Sequence, residues 1–78
     1  NAETGEGYSD ISIQTPERTG IVIELKYADD GNLEKACGEA LKQIEKKKYA
    51  EGLKRRSSKK IIKYGIAFYE KECMVATV

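Results

Sequence analysis

The hydrophobic period changes twice along this chain, and so short a chain leaves few folds that accommodate both changes. Asp10-Ile11-Ser12-Ile13-Gln14 alternates polar and apolar residues, which predicts a half-buried strand with Ile11 and Ile13 facing a core. Turn chemistry follows at Thr15-Pro16-Glu17-Arg18-Thr19-Gly20, and the branched run Ile21-Val22-Ile23-Glu24-Leu25-Lys26-Tyr27 reads as a second, antiparallel strand. From about Asn32 the period becomes helical. Leu33, Ala36, Cys37, Ala40, Leu41 and Ile44 form one stripe, Asn32 suits the N-cap and Glu34 the first turn. After Ser57-Ser58, the run Ile61 to Tyr69 is apolar almost throughout, the pattern of a strand buried on both faces. A strand, a helix and a strand in succession predict a right-handed crossover, with Ile61–Tyr69 parallel to the Glu24 strand. Glu70-Lys71-Glu72 then turns the chain into a last strand from Cys73 to Val78. The expected class is α/β (α+β), a mixed sheet of about four strands with one crossover helix.

With 78 residues and one proline, the chain has room for a single core and is read as one domain over 1–78. Asn1-Ala2 resembles the remnant of a cleaved expression tag, so the expectation is a domain excised from a longer protein. No apolar run approaches the roughly eighteen residues of a membrane span. The net charge of +1, from 14 basic and 13 acidic residues, argues for no polyanionic partner by itself. The basic residues do cluster, at Lys46-Lys47-Lys48 and at Lys54, Arg55, Arg56, Lys59, Lys60 and Lys63. That clustering is either a positive rim beside an acidic pocket or a solvated helix face with a lysine-rich turn. With two cysteines and no histidine, a Cys2His2 zinc site is excluded. Cys37 and Cys73 both fall on apolar stretches, which predicts buried free thiols and a cytoplasmic protein.

The chemistry concentrates at Asp10 and at Glu24-Leu25-Lys26. Alternation points Glu24 and Lys26 to the same face, and a hairpin brings Asp10 beside Glu24. Two carboxylates about 4 Å apart repel by roughly 4 kcal/mol at an effective dielectric near 20. A shared hard cation offsets that repulsion. Asp10, Glu24 and the Leu25 carbonyl make an all-oxygen set suited to Mg2+, with Mn2+ as a substitute. Lys26 then orients or deprotonates an attacking water, and the implied reaction is phosphodiester hydrolysis. Gln43, at the margin of the helical stripe, is placed to reach the lysine, the water or a phosphate. Each residue also has an ordinary role when taken singly: a strand ion pair, a residue satisfying backbone amides, an exposed helix position.

Together these segments resemble the PD-(D/E)XK nuclease superfamily, in particular the small C-terminal domains of predicted AAA-type ATPase proteins. Gly7-Tyr8-Ser9-Asp10-Ile11 is similar to that group's G-x-x-D-I segment, and Ile21 through Lys26 to its apolar strand ending in E-x-K. Ala40 through Ala50 is similar to its helix, and Ile66-Ala67-Phe68-Tyr69 to its following strand. The resemblance implies a restriction-endonuclease-like core, metal ligands at Asp10 and Glu24, a catalytic Lys26 and Gln43 near the site. It also implies a nuclease acting on DNA, with RNA as the alternative substrate, or a catalytically silent nucleic-acid-binding or regulatory module attached to an ATPase. Ser9 stands where the superfamily name has proline, and the leading helix of the core is missing from the pattern. Tyr49 lies six residues after Gln43 and is not assigned a role. The exposed last strand is expected to offer an edge for homodimer formation.

Overall fold

The computed structural model describes residues 2–3, 8–46 and 59–78, with side-chain surroundings from residue 10 onward. Strands β1 (Ala2–Glu3) and β2 (Tyr8–Ser9) pair antiparallel as a short ribbon. The main sheet contains β3 (Ile11–Gln14), β4 (Thr19–Tyr27), β5 (Lys60–Tyr69) and β6 (Glu72–Thr77), hydrogen-bonded in that order. Helix α1 (Leu33–Lys46) lies between β4 and β5 in the chain and is the one helix among the described residues.

The expected topology is present. β3 and β4 are antiparallel, β4 and β5 parallel, and β5 and β6 antiparallel. At the first turn, Thr15 Oγ1 accepts a hydrogen bond from the Thr19 amide at 3.0 Å, while Arg18 adopts a left-handed φ of 69°. Asn32 caps α1 as expected, its side-chain oxygen accepting from the Lys35 amide at 3.0 Å. The strand limits differ by one or two residues from the sequence reading: β3 starts at Ile11, β4 already at Thr19 within the expected turn, β5 at Lys60, and β6 runs from Glu72 to Thr77.

α1 packs on one face of the sheet, the face carrying Val22 of β4 and Gly65 and Ala67 of β5. Val22 and Ile44 are fully buried, with Leu41 and Ile61 against them. Ala28, Ala36, Cys37 and Ala67 form a second buried group, bordered by Leu33, Tyr69 and Ala76. Burying a side chain such as Ile44 or Val22 contributes about 1.5–3 kcal/mol. The close approach depends on Gly65. A Cβ there would lie 2.6 Å from the Cys37 carbonyl oxygen and 3.2 Å from the Ala40 Cβ.

Three expectations are corrected. Ile11 and Ile13 do not face a core: they are 41% and 44% exposed, because β3 is an edge strand and α1 covers the opposite face. β5 is not buried on both faces, since Phe68 is exposed and Ile62, Tyr64 and Ile66 are only half-buried. Cys37 is buried, but Cys73 is exposed, because it lies on the open face of the edge strand β6. Both thiols are free. Ser57-Ser58, Lys47, Lys48, Tyr49 and the cluster Lys54 to Arg56 lie outside the described residues.

Candidate active site

The β3–β4 register brings the predicted acidic pair together. Ile11 lies opposite Ile23 at the end of the ladder, which brings Asp10, just before β3, level with Glu24-Leu25, and by alternation Glu24 points to the α1 side of the sheet. Asp10 has left the strand, and its carboxylate takes over the ladder. Its Oδ2 accepts a hydrogen bond from the Leu25 amide at 2.8 Å. The N–H and C=O of a strand residue point to the same side, so the Leu25 carbonyl also points toward the side where Asp10 stands. The Asp10 carboxylate and the Leu25 backbone thus lie together at the end of β3, next along the chain to Glu24.

Glu24 is half-buried, and its Oε1 atom is removed from solvent. A carboxylate oxygen in that setting requires positive charge or donors to offset its desolvation. Lys26, two residues on, shares the face of Glu24 and is about half exposed, with Nζ 3.9 Å from Glu39 Oε1 on α1. Gln43 is half-buried on the same helical flank, one turn after Glu39.

Beyond Lys26, a cavity of about 330 Å³ opens between the end of β4 and the first half of α1, lined by Lys26, Asp29, Asp30, Lys35 and Glu39 among others. Asp30 accepts from the Asn32 amide at 3.0 Å and pairs with Lys35 at 3.5 Å. The Asn32 amide bond holds its carboxyl below the usual carboxylate range against the opposing effect of desolvation, and the Lys35 ammonium adds to the lowering.

Of the predicted site residues, Asp10, Glu24, Leu25 and Lys26 are brought together, and Gln43 lies on the adjoining helix flank. Glu39 was missed. The available signal was its position four residues before Gln43, beside Ala36 and Ala40 at the stripe margin. The positive rim is only partly described. Lys46, Lys59 and Lys60 are exposed, while Lys63 pairs with Glu45.

A family model described as the PD-(D/E)XK nuclease superfamily matches residues 1–78. The chain belongs to the PD-(D/E)XK nuclease superfamily. Its four-stranded mixed sheet with one helix is the restriction-endonuclease-like fold expected of that superfamily. Comparison with curated proteins gave no match, and neither did comparison with solved structures. Membership suggests a nuclease function and a nucleic-acid partner. Nucleases of the superfamily generally use divalent metals.

The donor set fits such an ion. Asp10, Glu24 and the Leu25 carbonyl offer hard oxygen donors of the kind such an ion takes, and the partly buried Glu24 carboxylate favours a neighbouring positive charge. Among the described residues no group of three or more His, Cys, Asp or Glu side chains is placed to hold a metal. No helix among the described residues is long and apolar enough to cross a membrane.

Proposed function

We propose that this chain is a metal-dependent nuclease domain that hydrolyses phosphodiester bonds of DNA, with Mg2+ held by Asp10, Glu24 and the Leu25 carbonyl. The observation that carries this reading is the Asp10 carboxylate 2.8 Å from the Leu25 amide, which fixes one acid beside the Glu24-Leu25-Lys26 segment. When bound, a divalent ion polarises a phosphoryl oxygen and lowers the pKa of a coordinated water. The protein's own groups supply orientation. Lys26 donates a hydrogen bond from its ammonium to the oxygen of the attacking water and so orients it, the water's proton passing to solvent. Glu39, 3.9 Å from the lysine, restrains the ammonium on the α1 side. Gln43 contributes an amide to the water or to a phosphate oxygen.

A second reading is a catalytically silent nucleic-acid-binding or regulatory module, in the ATPase context that the resemblance implies. It is favoured by the absence of a third acidic ligand among the described residues. The two readings part in one assay. Metal-dependent cleavage of duplex DNA that disappears in Lys26→Ala, while salt-sensitive DNA binding persists, supports the nuclease. Binding without cleavage by the native chain, across Mg2+ and Mn2+, contradicts it.

A further inference from the structure

We infer that the cavity beside Lys26 is a subsite for one unpaired guanine of the nucleic acid, the base next to the scissile phosphate; the inference rests on the nuclease reading above. The cavity measures about 330 Å³, at the small end of the roughly 300–1,000 Å³ of ligand pockets, which suits one nucleotide rather than a base pair. It lies on the α1 side of the sheet, between the end of β4 and the first half of α1, and residues 26–30, 35, 36 and 39 line it. Lys26 belongs both to this lining and to the Glu24-Leu25-Lys26 segment. A strand whose phosphate is held at Lys26 therefore has a neighbouring nucleotide at the mouth of the cavity.

The lining decides what enters. Two lysines, Lys26 and Lys35, stand against three carboxylates, Asp29, Asp30 and Glu39. Each lysine already has a partner, Lys26 with Glu39 at 3.9 Å and Lys35 with Asp30 at 3.5 Å. Asp29 forms no ion pair among the described residues, so the lining keeps one negative charge in excess. That excess repels a bare phosphate. A nucleobase is neutral and brings its own donors. The Asp29 carboxylate only accepts, through two adjacent oxygens. Among the DNA bases guanine alone sets two donor groups side by side on its pairing edge, N1–H and the N2 amine, and so satisfies both oxygens. That edge is free only when the guanine is unpaired. Lys35 donates to guanine O6, since an ammonium carries three donors and its contact with Asp30 engages only part of them. Tyr27, the aromatic residue of the lining, supplies a stacking surface. Its ring is braced by Phe68 and Tyr69, with centroids 5.5 and 5.8 Å away.

Amide chemical-shift titration of the chain in EDTA tests the subsite without calling on metal or cleavage. The probes are single-stranded tetranucleotides: one all thymine, one with a single guanine, and one with hypoxanthine, which lacks the N2 amine, in place of that guanine. The guanine probe should bind about tenfold or more tighter than the all-thymine probe, with the largest shifts at residues 26–30 and 35–39, and the hypoxanthine probe should fall between them. Asp29→Asn, a near-isosteric change at an exposed residue, should remove the preference for guanine over thymine. Equal affinity for the guanine and thymine probes, or no shift in these residues with any probe, would overturn the subsite. So would a hypoxanthine probe as tight as the guanine one, or a preference that survives Asp29→Asn. Such a failure leaves the nuclease reading intact, whereas an absence of metal-dependent cleavage contradicts that reading and leaves the binding result standing.

Discussion

The two faces of the main sheet obey the same alternation rule and have opposite fates. The face under α1 is built from small residues, Gly65, Ala67 and Val22, with Glu24 and Lys26 beside them; the open face carries nearly all of the sheet's large apolar side chains. Hydrophobicity alone would have put the helix on the open face. Steric fit put it on the other, because α1 presents Ala36, Cys37 and Ala40 and can come close only where the sheet lacks bulk. The consequence is functional as well as structural. The covered face carries Glu24 and Lys26 beside the helix, with Glu39 of α1 3.9 Å from Lys26.

The same truncation on each face sharpens this contrast most. Ile44→Ala removes a fully buried side chain and should lower unfolding free energy by about 2–5 kcal/mol. Ile13→Ala, measured at concentrations where the chain is monomeric, should cost less than about 1 kcal/mol. Urea unfolding of the two variants checks both values, and equal losses would break the distinction between the faces.

A smaller effect tests the steric half of the argument. Gly65→Ala adds one methyl group, yet it meets the backbone oxygen of Cys37 at 2.6 Å, so the helix must shift. The expected destabilisation is about 1–3 kcal/mol, read as a lowered thermal midpoint. An unchanged or raised midpoint would mean that α1 does not depend on this contact.

Much of the fold was legible because period is a local property. The alternation at Ile11–Gln14, the stripe from Leu33 to Ile44 and the Asn32 cap each announce their element without knowledge of the rest. The parallel pairing of β4 and β5 followed from connectivity. The choice of face was not legible, since it depends on which residues of β4, β5 and α1 meet across the sheet. Ile11, Ile13 and Cys73 look like core residues by composition and lie on the open face or its edges. The site was partly legible for the same reason. Glu24 and Lys26 share a face by simple alternation, and a hairpin register is enough to place Asp10. Glu39 stood at the margin of the helical stripe, but its pairing with Lys26 depends on the direction and distance that the crossover gives α1 relative to β4. The Lys26–Glu39 pair is half exposed and contributes under about 1 kcal/mol to stability, so its significance lies in where it holds the lysine.

The claim at the centre of this account is that Asp10 and Glu24 share one divalent ion. Calorimetric titration of Mg2+ and Mn2+ into the chain, beside Asp10→Asn/Glu24→Gln, tests it without requiring a substrate. The account predicts one site in the native chain, bound by both ions, and no binding in the variant, with circular dichroism showing both folded. An absence of binding to the native chain, or binding of equal strength to the variant, would contradict it.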